Sequence, residues 1–378
     1  PVVEPFQRAG NFATTNGKGY YSIADAFHGK QSDAPPKTPY PAFALMPPGF
    51  FNANFKLLEA PGYERDVFEK LKRIHLGEDW LFSVGGEFRT RYHSEVNSRL
   101  TGNDNDYTLY RSRVFADLAY RDLARVYVEY IDADNWGNDI APLAFDENRS
   151  DLLNLFGDFK IGEIKGKPVV LRGGRQEMIY GSQRLISTLD WANNRREPFT
   201  GVKGFWHGEK LQLDAFVVQP TIFDRGNFDA IDEERLFTGL WGHYNLSETH
   251  GLDFYYLYLN DQRGTAIGKD NVRGSQDFST IGARYAGNQK NLLFDFEGML
   301  QFGNHVNQEL LAASLTGGLG YKFADCPWTP TVWTYYDWAS GTDRSESNDH
   351  YSTFNQLFPF GHYYFGFIDL VGRQNIHD

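Results

Sequence analysis

"VGGEFRTRYHS", residues 84–94, sets Val84, Phe88 and Tyr92 in step with Glu87, Arg89, Arg91 and His93. In an extended strand successive side chains point to opposite faces, so the first three share one side and the four ionisable groups share the other. The same two-residue rhythm recurs downstream. In "NLLFDFEGMLQF" (291–302) Phe294, Phe296, Leu300 and Phe302 oppose Asp295, Glu297 and Gln301. In "LQLDAFVVQ" (211–219) Leu211, Leu213, Ala215 and Val217 oppose Gln212 and Asp214. Charges held in the middle of a strand need water, a counter-charge or both.

From residue 81 onward, thirteen strands are predicted: 81–94, 107–121, 123–133, 152–162, 168–180, 200–207, 210–219, 236–246, 251–261, 278–286, 290–302, 309–323 and 329–339. Composition agrees, since 31 Phe, 22 Tyr and 8 Trp are residues that strands favour. No apolar run is long enough for a helical membrane span. A closed barrel stays open as a reading, because every second residue of its strands faces water and hides its hydrophobicity from a sliding window. The connections sharpen the choice. Short ones near Asp122, 163–167, 208–209, 247–250, 287–289 and 325–328 alternate with long polar ones at 97–106, 135–150, 221–234 and 260–277. Outer-membrane barrels have short turns on one side and long loops on the other. Periodicity alone suits a soluble sandwich equally well; loop alternation and strands of ten or more residues favour the membrane. The expected fold class is therefore all-β, an antiparallel up-and-down transmembrane β-barrel over 81–378.

Residues 1–80 are expected to form an irregular Pro/Gly/aromatic-rich arm with one short amphipathic helix over 63–74. Phe43, Phe50, Phe51 and Phe55 argue against a disordered linker, which would be poor in aromatics. The segment 340–377, containing "FNQLFPFGHYYFGF", is expected to be a long loop that either constricts the lumen or caps the barrel from outside.

If the apolar face meets lipid, alternation turns Arg89, Arg91, Arg111, Arg113, Arg125, Arg172, Lys203 and Arg284 inward, with Glu87, Glu129, Asp214, Asp295, Glu297 and Asp337. Cations dominate the early strands and carboxylates the later ones, which predicts one basic wall facing an acidic or mixed wall. A confined cationic strip attracts anions, and guanidinium forks bind carboxylate or phosphate through paired hydrogen bonds. The alternative is that these arginines pair with wall carboxylates and fill the barrel with salt bridges. A net charge of −12 argues against a nucleic-acid partner. The single cysteine, Cys326, and the absence of metal-ligand spacing predict no metal site, and no cofactor is expected. Asp295 and Glu297, two apart on one strand, line a surface more readily than they serve as a glycosidase pair. No other catalytic string is present, so an enzyme is not expected.

"LRGGRQEMIYGSQRL" (171–185), followed by "DWANNRR" (190–196), resembles the alginate export porin family. Residues 77–102 and 357–376 also resemble family segments, including a second Gly-Arg-Gln at 372–374. The resemblance covers most of 75–378. It implies a bacterial outer-membrane barrel of about 18 strands with an arginine-rich lumen that passes an anionic polysaccharide. Arg172, Arg175 and Gln176 sit on the shared motif; the other lumen cations come from alternation alone. With only thirteen strands and the ending "NIHD", the chain is expected to be C-terminally incomplete, with roughly five strands beyond Asp378. The expected partners are an anionic polysaccharide or small anions, and outer-membrane lipid. The alternatives are a general diffusion porin, a structural outer-membrane protein, or, outside the membrane, a soluble β-scaffold that binds or cleaves polysaccharide.

Overall fold

The computed structural model describes residues 27–31, 49–53, 55–188, 194–269, 271–326, 330–343, 350–366 and 371–377. In chain order its strands are β1 (Ile74–Leu76), β2 (Trp80–Glu95), β3 (Asn105–Tyr120), β4 (Ala124–Trp136), β5 (Asn148–Ile164), β6 (Lys167–Glu177), β7 (Pro198–His207) and β8 (Leu211–Ile222). They continue as β9 (Ala230–Ile231), β10 (Arg235–Asn245), β11 (His250–Ile267), β12 (Arg273–Gln289), β13 (Leu292–His305), β14 (Gln308–Lys322), β15 (Thr331–Ala339), β16 (His350–Tyr351) and β17 (Ile376–His377). Each long strand pairs antiparallel with the next, β8 passing directly to β10, so the connectivity is an up-and-down meander. β1 lies on β2 and β17 on β15. Among the described residues no ladder joins β15 to β2, so the sheet curls without closing.

The thirteen long strands coincide with the thirteen predicted from periodicity, but their ends do not. The predicted polar loop 260–277 is largely strand: β11 runs to Ile267, β12 begins at Arg273, and beyond a break in register after Asp261 the pairing resumes with Ala266 facing Gly274 and Ile267 facing Arg273. Its residues carry no apolar face, because a strand with water on both sides has no reason to alternate. Strict alternation of connections also fails at β13–β14, which are joined by Val306 and Asn307 alone, with Val306 at φ 59°. In the arm, the helix predicted over 63–74 is replaced by a single 3-10 turn, Glu69–Leu71. Asp66 and Glu69 exchange side-chain and backbone hydrogen bonds as a capping pair, but Arg73 at φ 51° breaks the turn and β1 follows.

Burial is inverted relative to a soluble protein. Phe88 (72% exposed), Leu240 (59%) and Leu315 (55%) point outward, while Arg111 (1%), Glu129 (0%) and Asp295 (1%) are sealed inside. A water-soluble sandwich would bury the first set; a continuous apolar belt over charged contents is the arrangement hydrocarbon requires. The inner face is not ionic throughout. From β7 to β12 it also carries Phe199, Phe216, Phe237, Leu257 and Phe278, which pack on Leu185, Ile186, Phe354 and Phe358 from inserted segments. A separate aromatic cluster joins Phe51, Phe55 and Leu58 of the arm to Phe115, Tyr127 and Phe156 on β3, β4 and β5.

Placing a charge on the outer belt tests this inversion. Leu240→Arg, mid-strand on β10, is expected to lower barrel stability in lipid vesicles by about 2–4 kcal/mol, read from urea unfolding. A substitution at a water-facing surface would cost almost nothing.

Candidate functional site

Nine of the ten predicted site residues fall on adjoining strands of one wall. Arg89 and Arg91 occupy β2, Arg111 and Arg113 β3, Arg125 β4, Arg172, Arg175 and Gln176 β6, and Lys203 β7. Register brings them together: Arg89 faces Arg111, Glu87 faces Arg113, and Arg172 faces Lys203. Arg284 stands apart on β12. Arg172 and Arg175, three apart, would fall on opposite faces of a regular strand, yet both engage buried carboxylates. Gly174 between them, at φ 132°, interrupts the alternation, and a Cβ there would lie 2.2 Å from the Leu155 carbonyl.

The cations of this wall are interleaved with carboxylates rather than massed. Arg111 meets Glu87 at 2.7 Å, and Arg113 meets Glu129 at 2.6 Å with Glu177 at 3.7 Å. Arg125 forks onto Asp117 with both contacts at 2.8 Å, and Arg172 forks onto Asp158 at 2.6 and 2.8 Å. Arg175 reaches Asp151 at 3.3 Å and Lys203 reaches Asp214 at 3.4 Å. Gln176 is fully buried. The expected division into a basic and an acidic wall therefore needs correction: Asp117, Asp151, Asp158 and Glu177 sit among the early cations. Burial demands it, since an unpaired charge in a low-dielectric wall is far costlier than a matched pair.

The later wall is acidic in its strands and is neutralised largely from elsewhere. Arg284 bonds Asp295 at 2.7 Å and Asp253 at 3.3 Å. Two further arginines arrive on inserted segments: Arg184 holds Asp295 at 2.8 Å and Glu297 at 2.7 Å, while Arg373 bonds Asp337 and Thr316. Asp295 and Glu297, weighed above as a glycosidase pair, are thus committed to arginines. Strand alternation could not find Arg184 and Arg373, because neither is on a strand of the wall. Their signal was local: Gln183-Arg184 ends the first quoted family segment, and Arg373 is the centre of the second Gly-Arg-Gln.

The two inserts brace each other inside the curl. The Phe358 amide donates to the Leu185 carbonyl and the Phe360 amide to Gln183, both at 2.9 Å. Gln301 on β13 grips Asn355 by donating to its carbonyl (2.7 Å) and accepting its amide (2.8 Å). Tyr364 donates to the Ser182 carbonyl, and its ring lies 4.7 Å from the Arg184 guanidinium. Residues 354–364 therefore lie inside the curl, whereas His350–Tyr351 and Ile376–His377 add to the sheet on β14 and β15; 344–349 and 367–370 fall outside the described residues, as do 190–193 of the "DWANNRR" stretch.

The connection from β8 to β10 is latched to the basic wall through a carboxyl pair. Asp229 lies beside Asp151, accepts a hydrogen bond from Asn148 at 3.1 Å and receives the Asp224 amide at 2.9 Å. Burial, then its hydrogen bond to Asp151, pushes its pKa from an ordinary 3.8 up to about 7, opposed by Arg175. Arg195 also faces it.

Two expectations follow from this geometry. Glu129 accepts from Arg113 and also from Tyr127 and Asn154, at 3.0 and 2.9 Å. Glu129→Ala, which leaves Arg113 only the more distant Glu177, should cost about 3 kcal/mol in vesicle-based unfolding, whereas replacing both partners by Leu and Met should cost far less. For Asp229, a raised folded pKa means the latch is fully present below about 4 and is lost as pH rises through about 7. Amide exchange of residues 223–231 should accelerate from pH 5 to pH 8.5 beyond its intrinsic pH dependence, and Asp229→Asn should remove that excess.

Residues 80–378 match the family model described as alginate export. Among solved structures, the chain is similar to Pseudomonas aeruginosa OpdO at 13% identity and a TM-score of 0.46, over 70% of this chain and 66% of that one. It is similar to Acinetobacter baumannii OccAB3 at 13% identity and a TM-score of 0.40, over 72% and 84% respectively. For Pseudomonas aeruginosa OccD3 (OpdP) the values are 10% and 0.37, over 72% and 73%. The chain thus spans just under two thirds of OpdO. No curated protein matches the sequence.

Proposed function

The chain belongs to the alginate export family, and we propose that its barrel passes an anionic polysaccharide, or smaller anions, along the arginines of the β2–β7 wall. The protein is an outer-membrane β-barrel channel. The observation that carries the finer reading is the convergence of Arg89, Arg91, Arg111, Arg113, Arg125 and Arg172 on the inner side of neighbouring strands. A guanidinium has five N–H donors, and a wall carboxylate engages two of them, so each arginine keeps capacity for a second anion. The wall carboxylates then act as competitors. A uronate carboxylate and Asp158 are chemically alike, so a passing chain exchanges with the wall at little net cost. Conduction needs that weak, repeated binding rather than one deep site. In the same reading the braced inserts at 178–188 and 351–366 form the constriction that sets the largest cross-section admitted.

A second reading is favoured by the same salt bridges: with Arg113, Arg125 and Arg172 all paired, the wall serves mainly as scaffold, and the protein is a general diffusion porin or a structural outer-membrane component. Single-channel recording separates the two. Anionic oligouronides are expected to block the current reversibly. The block should weaken at least tenfold when Arg89, Arg111 and Arg172 are changed to Ala, and should fade as salt rises from about 0.1 M to 1 M and the screening length falls from about 10 to 3 Å. A block indifferent to those three substitutions, or equal permeability to small cations and anions, favours the scaffold reading.

A further inference from the structure

Residues 49–53 and 55–73 of the arm lie on the basic wall from inside, outside the family match, which begins at residue 80. Their hold is specific. The Arg113 guanidinium lies 4.1 Å from the Phe50 ring centroid and that of Arg172 5.0 Å from Phe51, while Arg125 donates to the Phe51 carbonyl at 2.9 Å. Phe51 meets Tyr127 and Phe156 edge-on at 5.8 and 5.4 Å. Lys72 reaches across to the Val84 carbonyl and lies 5.7 Å from Phe55 and 5.8 Å from Phe115. The wall is shaped to receive it: a Cβ at Gly85 would come within 2.7 Å of Phe115 and 2.8 Å of the Lys72 ammonium.

We propose that residues 49–73 are a displaceable plug, whose aromatic rings cover the faces of the arginines an anionic chain must reach, so that cargo and arm compete for one surface. The inference rests on the anionic cargo proposed above. Wall carboxylates take the edges of Arg113 and Arg172; the Phe50 ring takes the face of Arg113, and Phe51 shares that of Arg172 with Phe156 of β5, which lies closer at 3.7 Å. Of these covers the rings of Phe50 and Phe51 alone belong to no strand of the sheet. Among the described residues the arm adds no ladder before β1; it is held by ring packing and a few hydrogen bonds, and it leads into the three-residue β1. Cation–π contact is an attraction that a carboxylate can replace with a stronger one.

The test has two arms. In planar bilayers with potassium chloride alone, Phe50→Ala/Phe51→Ala/Phe55→Ala is expected to carry a severalfold larger current than the parent. In a Cys326→Ser background, Ala53→Cys should react severalfold faster with a water-soluble maleimide when oligouronide is present, a measurement that leaves the arm's aromatic anchors intact. An unchanged current from the folded triple variant overturns the plug; a labelling rate indifferent to oligouronide overturns the competition. If oligouronide still blocks the triple variant, that failure is the arm's alone. If it blocks neither form, the cargo reading fails with it.

Discussion

Most of the buried charges on the sheet's inner side meet an opposite charge on a neighbouring strand or on an inserted segment, and the rest of the structure depends on that pairing. Hydrocarbon outside fixes which side of each strand is apolar. The opposite side must then hold its ionic groups in a narrow space where a lone charge is not tolerated. Arg113 with Glu129, Arg172 with Asp158 and Arg284 with Asp295 are local solutions, made across one or two strand spacings. Where the strands supply too many carboxylates, chain is drawn in from elsewhere: Arg184 and Arg373 fasten their segments to Asp295, Glu297 and Asp337. Charge balance thus helps explain why two connecting segments lie inside the sheet's curvature instead of in solvent.

The same logic explains the arm's composition. Apart from Lys72, whose ammonium is tied to the Val84 carbonyl, more cations facing the arginine-bearing strands would repel them, and added carboxylates would compete with those already paired there. Aromatic rings fill the space, exclude water and offer a weak electrostatic attraction without adding charge. Phe50, Phe51 and Phe55 do this on one wall; Phe354 and Phe358 do it on the other, against Phe199 and Phe237.

Much of this was legible in the chain, and what was not has a physical reason. Alternation located all thirteen long strands because one face of each meets hydrocarbon and the other does not. It lost β11 beyond Asp261, where the side chains are mostly exposed and no pattern is imposed. It assigned the inward cations on strands, but gave no access to the carboxylates of Asp151 and Asp158 as their partners, since register across strands is not written in the spacing within one. It had nothing to say about Arg184 and Arg373, whose positions follow from tertiary insertion. The helix expected at 63–74 had the right apolar spacing, yet the arm makes other contacts within itself: Arg65 donates to the Leu58 and Lys72 carbonyls and folds the segment back on itself.

The ribbon formed by the ends of β11 and β12 has one more implication. An unpaired surface segment of that length would sweep out a large volume and could sag across the entrance, imposing an entropic toll on anything arriving. Pinned by Asp261 facing Gln276 and again by Ala266 facing Gly274, the two strand ends are tied to each other instead, which restricts how far that side of the rim can lean over the entrance.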